Sequence, residues 1–191
     1  MRIIAGRYRS RSLDAPAGLA TRPTSDRLRE TLFNVLAPRI EGAHFLDLYA
    51  GSGAVGLEAL SRAAAQVDFV ERAPAALAAL RKNLDRLALT AGFRIHAASV
   101  GSMLRKMTPS PAFDIVFLDP PYDAAEEYAG ALELLDRNHA VLLAPEAVVI
   151  AEHRRKQELE DCYGQLLRTR LLKQGDAALS IYQASVSAAE Q

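Results

Sequence analysis

From residue 43 onward, short apolar runs alternate with stretches whose apolar positions recur every three or four residues. That pattern predicts strands alternating with amphipathic helices, and hence a largely parallel sheet covered on both faces. Strands are predicted at about 43–49, 66–71, 93–98, 113–118 and 146–152. Helices are predicted from the turn after the first strand to about 64, from Pro74 through Leu87, from about 101, and over about 124–136. In the Pro74 helix, Leu77, Leu80, Leu84 and Leu87 form the buried stripe, while Arg81, Lys82, Asp85 and Arg86 face out. Two last strands, 166–172 and 177–183, flank Lys173-Gln174-Gly175-Asp176 and predict an antiparallel hairpin.

Before residue 43 the pattern differs. Residues 2–13 read as one or two short strands, in which Arg7, Arg9 and Arg11 share one face and Tyr8 takes the other. Residues 14–23 are rich in turn formers and predict a surface loop. Thr24 or Ser25 is the expected N-cap of a helix that buries Leu28, Leu32, Val35 and Leu36 and ends at Pro38. Its outward face is expected to carry Arg27, Arg29, Glu30 and Asn34. The expected organisation is a basic β extension over 1–25, an α/β domain over 26–185 and a tail over 186–191.

Composition narrows this little. The chain has 191 residues, half of them hydrophobic, and no net charge. The charge is unevenly spread, however: residues 1–30 hold seven arginines against three carboxylates. A local excess of cations on a neutral chain points to an anionic partner at this end. A single cysteine, Cys162, excludes an intrachain disulfide and suits a reducing compartment. No run is long enough to span a bilayer and no signal peptide is apparent, so a cytoplasmic location is expected. The four histidines are never spaced as metal ligands, so no metal is expected.

Two stretches bear the chemistry. Asp47-Leu-Tyr-Ala-Gly51-Ser-Gly53-Ala-Val-Gly56 runs from an apolar strand through a glycine turn into a helix. Such a turn admits a close backbone approach to a nucleoside-containing ligand, whose polar groups meet the amides at the helix start. Gly53 is expected to face that ligand, so that a side chain there would exclude it. Glu71, 20 residues beyond Gly51 at the next strand end, suits ribose hydroxyls. Asp47 in the middle of an apolar strand needs a partner, either a bound ammonium or the amides of the turn. The turn alone fits a dinucleotide and S-adenosylmethionine equally well.

Asp119-Pro120-Pro121-Tyr122, after the fourth strand, separates the two. Methylating an exocyclic amino group requires acceptors for its N–H groups. The Asp119 carboxylate and the Pro120 carbonyl are such acceptors, the paired prolines hold them rigid, and Tyr122 offers a ring for an extruded base. This tetrapeptide resembles the motif of amino-group methyltransferases acting on adenine or guanine. Together with Arg2-Ile-Ile-Ala-Gly6, the block Arg22-Pro-Thr-Ser-Asp-Arg-Leu-Arg-Glu-Thr-Leu-Phe-Asn-Val-Leu36 and the block Asp47–Arg62, it makes the whole chain resemble the RsmD family. That family methylates the 2-amino group of guanine 966 in bacterial 16S ribosomal RNA.

The resemblance implies a Rossmann-like methyltransferase sheet, mostly parallel and seven-stranded, with an antiparallel C-terminal hairpin. It also implies S-adenosylmethionine as cofactor, held by Asp47, Tyr49, Ala50, Gly51, Ser52, Gly53, Glu71 and Arg72, with Thr24 nearby. Ser99 stands where many such enzymes place an aspartate for the adenine amino group. Asp119, Pro120, Pro121 and Tyr122 would be the catalytic set, and Thr24, Arg27 and Glu30 candidates for a cofactor lid or for RNA positioning. Apart from the resemblance, the alternating cations Arg7, Arg9 and Arg11 suit a phosphate backbone, and with Arg22 and Arg27 they are the expected RNA contacts. The expected partner is 16S rRNA, within a small-subunit or assembly particle, bound by a monomer. Three rivals share parts of the pattern: a nicotinamide-dependent oxidoreductase, a DNA adenine methyltransferase and a non-enzymatic ribosome-assembly factor.

Overall fold

The computed structural model describes residues 1–16, 25–121 and 124–185. The elements in chain order are α1 (Asp26–Leu36), β1 (His44–Leu48), α2 (Ala54–Ser61), β2 (Gln66–Glu71), α3 (Pro74–Arg86), β3 (Phe93–Ala97) and α4 (Val100–Leu104). There follow β4 (Phe113–Leu118), α5 (Ala125–Arg137), α6 (His139–Leu142), β5 (Leu143–Arg154), β6 (Cys162–Tyr163), β7 (Leu166–Gln174) and β8 (Ala177–Ala184). They build one sheet in the order β3-β2-β1-β4-β5-β8-β7-β6, parallel from β3 through β5 and antiparallel beyond. The Rossmann-like sheet with its C-terminal hairpin is therefore present. It has eight strands because a two-residue edge strand, β6, turns at Gly164 and pairs with the start of β7.

Alternation along the central strands divides the core. Phe45, Val67, Phe69, Ile115 and Phe117 pack on one face under α1, α2 and α3. Leu46, Leu48, Val70, Val116 and Leu118 pack on the other under α4, α5 and α6. Strands buried on both faces read as continuous apolar runs, which is why their positions were legible. The chain crosses from one side of β1 to the other between β3 and β4. This creates a switch point at the carboxyl ends of β1 and β4, where open α/β sheets bind ligands.

Several expectations change. Residues 2–13 do not form paired strands; a single antiparallel bridge, Arg2–Ser12, closes a compact hook. Gly6 and Ser10 have positive φ (81° and 67°), which breaks the extended alternation, so Arg7, Arg9 and Arg11 do not share a strand face. All three are nevertheless exposed. Arg29 is not outward but fully buried. Its guanidinium donates to the Arg2 carbonyl at 2.5 Å and to Asp26 at 2.9 Å, and burial lowers its proton affinity. Ile3 and Leu13 join the same core as α1, so the hook is packed against the α/β domain. Ser25 is the N-cap of α1, accepting from the Leu28 amide. α2 stops at Ser61, short of 64, and α6 was not foreseen. Among the described residues no helix is long and apolar enough to cross a membrane. Arg22, Thr24, Tyr122 and the tail 186–191 lie outside the described residues.

Candidate cofactor and amino-group site

Leu48 pairs with Val70 on one side and with Leu118 on the other. The residues that follow β1 and β4, Tyr49 and Asp119, therefore leave the sheet side by side at the switch point. Glu71, at the end of β2, pairs with Ala97 at the end of β3. The glycine turn, Glu71, Ser99 and Asp119 thus converge on one edge of the sheet.

The turn is braced from three directions. Beneath it, the fully buried Asp47 carboxylate accepts from the Gly56 amide at 2.9 Å. Its partner is thus an amide of α2, one of the two possibilities the sequence left open. Burial pushes the Asp47 carboxyl up to about 7, with a smaller push from Glu71 and an opposing pull from the Gly56 amide. Beside the turn, Glu71 accepts from the Gly51 amide at 2.9 Å and from the Arg72 and Ala73 amides at 2.7 Å. Behind it, Asn83 of α3 donates to the Ser52 carbonyl at 3.0 Å and also binds the Asp14 backbone through two hydrogen bonds.

The three glycines do different work. A Cβ on Gly51 (φ 57°) would meet nothing nearer than the Tyr49 carbonyl at 4.0 Å, so this residue opens on free space. On Gly53 (φ 81°) it would lie 2.3 Å from Leu80 Cδ1, and on Gly56 2.3 Å from Phe69 Cε1. The expectation that Gly53 faces the ligand is therefore corrected: Gly53 and Gly56 face the core, and close packing of α2 on β2 and α3 demands them. Ala50 is buried, its amide donating to the Val70 carbonyl at 3.0 Å.

Tyr49 takes a left-handed backbone (φ 61°) and donates its hydroxyl to Glu127 of α5 at 2.7 Å. Burial, then the Glu127 carboxylate, holds that hydroxyl well above the usual phenol range. Arg72 lies 3.9 Å from the same carboxylate. Ser99 caps α4 by accepting from the Ser102 amide at 3.3 Å. Asp119 is half-buried, Pro120 is buried, and the Pro121 carbonyl accepts from the Ala124 amide at 2.9 Å. A cavity of about 350 Å³ between α4 and α5 has Tyr49, Val100 and Glu127 on its wall. Another of about 490 Å³ lies at Tyr128, Leu159 and Tyr163. Neither is lined by the glycine turn or by Asp119.

The family model described as conserved hypothetical protein 95 matches residues 1–183. The chain belongs to this family, the RsmD type. Among RsmD-type relatives, it is 43% identical over 154 residues to ribosomal RNA small subunit methyltransferase D of Escherichia coli (strain K12), spanning 80% of this chain and 74% of that protein. It is 36% identical over 184 residues to YlbH of Bacillus subtilis (strain 168), spanning 96% and 98%. The solved structure of yhhF from Escherichia coli superposes with a TM-score of 0.84 at 38% identity, covering 98% of this chain and 99% of that one. The RsmD resemblance drawn from Arg22–Leu36 and Asp47–Arg62 is thereby confirmed over nearly the full length.

Glu127, Asn83 and Glu58 went unnoticed in the sequence. Glu127 reads locally as an acidic first-turn residue suited to the helix dipole, and nothing nearby signals a partner 78 positions away. Asn83 and Glu58 carried a weak signal, being polar residues within otherwise apolar helix stripes.

Proposed function

We propose that this protein transfers a methyl group from S-adenosylmethionine to the exocyclic 2-amino group of guanine 966 in 16S ribosomal RNA. As a member of the RsmD family it is an S-adenosylmethionine-dependent rRNA methyltransferase. The choice of guanine and of its 2-amino group is the finer reading, and it rests on the likeness to that family. The observation that supports the chemistry best is the Leu48–Leu118 pairing, which brings the glycine turn and Asp119 out of the sheet together.

The residues suit the cofactor. Gly51 leaves open space above the turn, and Glu71 stands beside it, anchored through backbone amides. Gly51, Ser52, Glu71, Arg72 and the Ser99 cap would surround the nucleoside end, while Asp47 and Asn83 hold the turn in shape from behind. When bound, the cofactor supplies an electrophilic methyl on a sulfonium. The work left to the protein is positioning and charge placement. Asp119 accepts an N–H of the target amino group, which orients the nitrogen and favours its pyramidal form. The buried Pro120 fixes the backbone that carries Asp119. Arg7, Arg9, Arg11 and Arg27, all exposed, would contact RNA phosphates. The division of labour between residues 1–25 and the domain from 26 to 185, and action in the cytoplasm on a ribosomal particle, belong to the same reading.

The test is to map methylated nucleotides in ribosomal RNA from cells lacking the protein. Loss of the 2-amino methyl group at guanine 966, restored by the wild-type chain and not by Asp119→Ala, is expected. Retention of that group in the deletion strain, or loss of an adenine methyl group from DNA instead, would overturn the reading.

A further inference from the structure

Arg29 of α1 holds the start of the N-terminal hook at the Arg2 carbonyl, and the stretch from Ile4 to Tyr8 is held by a concentration of polar contacts from one short helix, α2. The Glu58 carboxylate, fully buried in α2, accepts from the Ile4 amide at 2.7 Å and the Ala5 amide at 3.0 Å. It is also paired with Arg62 at 2.8 Å, whose guanidinium stacks over the Phe33 ring. Ser61, the last residue of α2, accepts from the Tyr8 amide at 2.9 Å and donates to the Ala5 carbonyl at 2.5 Å. The Ser61 carbonyl accepts from the Arg7 amide at 2.7 Å. The fit is so close that a Cβ on Gly6 would lie 1.8 Å from the Ser61 carbonyl oxygen.

Of residues 5–11, Tyr8 alone packs against the hydrophobic core, and it is only partly buried. A hydrophobic drive therefore does not account for a buried carboxylate and a buried hydroxyl devoted to them. A fully satisfied polar network of this kind holds the backbone to one geometry. The geometry it fixes displays Arg7, Arg9 and Arg11 to solvent, and none of the three pairs with a carboxylate among the described residues. Arg7 is further held over the Tyr8 ring, 5.4 Å from its centroid.

The other end of α2 begins at the glycine turn, with Gly53 as its N-cap. Eight helical residues rise about 12 Å. We propose that α2 is a spacer. Its C-terminal end, through Glu58 and Ser61, locks the arginine hook in place, so that the RNA backbone is gripped at a set distance from the methyl donor held at its N-terminal end. Glu58 and Ser61 are positioning residues in this scheme, acting through Arg7, Arg9 and Arg11. The hook recognises a polyanionic backbone and carries no base selectivity. The proposal rests on the rRNA methyltransferase reading above and adds to it how the substrate is registered against the site.

The experiment measures methyl transfer to small ribosomal subunits from cells lacking the protein, at several salt concentrations, together with S-adenosylmethionine affinity by calorimetry. Ser61→Ala, Gly6→Ala and the triple variant Arg7→Gln, Arg9→Gln, Arg11→Gln are compared with wild type. Ser61→Ala and Gly6→Ala are expected to raise KM for the subunit at least tenfold, with kcat at saturation and cofactor affinity within twofold of wild type. The triple variant is expected to raise KM similarly and to flatten its dependence on log salt by about two units, as loss of three phosphate contacts requires. Should the triple variant behave so while Ser61→Ala and Gly6→Ala leave KM unchanged, the arginines act without the clamp and the spacer role is overturned. Cofactor affinity falling in step with KM in Ser61→Ala would also overturn it, since α2 would then merely support the turn. Absence of transfer by the wild-type chain would instead refute the underlying rRNA methyltransferase reading.

Discussion

Tyr49 and Glu127 are joined by a 2.7 Å hydrogen bond that ties the exit of β1 to the first turn of α5. The first of these residues precedes the glycine turn, and the second lies just beyond the segment that begins at Asp119. A tyrosine with φ of 61° is in a backbone region that costs about 1 kcal/mol or more, so something must hold it there. The Ala50 amide on the Val70 carbonyl fixes the backbone, and Glu127 fixes the side chain.

Tyr49→Phe removes only the hydroxyl. A hydrogen bond to a charged acceptor in a half-buried place contributes about 1.5 kcal/mol, and the variant should lose about that much stability. Methyl transfer should fall more than stability explains, because the Asp119 segment loses its tie to the donor turn; a drop of about fivefold or more in kcat is expected. Glu127→Gln keeps an acceptor for the hydroxyl and should recover most of both. Denaturant melts and single-turnover rates on the three proteins decide it. Equal rates in wild type and Tyr49→Phe would show that the bond is idle.

The glycine turn yields a contrast within three residues. Gly56→Ala places a methyl 2.3 Å from Phe69 and 2.8 Å from Val67, both inside the core, and Gly53→Ala places one 2.3 Å from Leu80. Overpacking of this kind costs about 1–3 kcal/mol, and both variants should melt early. Gly51→Ala meets open space and bears only the left-handed strain of about 1 kcal/mol, yet its methyl projects where the cofactor is expected. It should therefore stay folded and lose S-adenosylmethionine affinity, by tenfold or more in a calorimetric titration. If Gly51→Ala binds the cofactor as wild type does, the ligand does not approach the turn at that residue.

How much of this was written in the sequence follows from how local each cause is. Phe45 to Leu48 and Phe113 to Leu118 are buried on both faces, so each strand announces itself in a handful of consecutive residues. The glycine turn and Asp119-Pro120-Pro121 likewise carry their own backbone chemistry. Helical periodicity points Arg29 outward, because its reason to be buried, the Arg2 carbonyl, lies 27 positions away and leaves no mark on that periodicity. The hook reads as strand in the sequence because alternating arginines look like a strand face. Gly6 and Ser10 turn the chain instead, and the surface that demands the turn is Ser61, more than 50 residues on. Gly53 reads as ligand-facing for the same reason: its neighbour Leu80 belongs to a different helix.

Asp47 makes stability depend on pH in an unusual direction. Its carboxyl sits at about 7 in the folded protein against an ordinary value of 3.8, chiefly because burial disfavours the charge. Between those two values the native state holds more protons than the unfolded one. The contribution of this group to stability is therefore fully present below about pH 4 and is lost as pH rises toward 7, by up to about 1.4 kcal/mol per pH unit. Asp47→Asn keeps an oxygen to accept from the Gly56 amide but carries no charge. In urea melts of the ligand-free protein, wild type should fall progressively below Asp47→Asn as pH is raised from 5 to 8, with the gap levelling off above that. The fall belongs to the empty site: a cationic cofactor seated above the turn favours the ionised carboxylate, so saturating S-adenosylmethionine should shrink the gap. Parallel curves for the two proteins across this range would mean that Asp47 is ionised throughout, with a charge partner beyond the Gly56 amide.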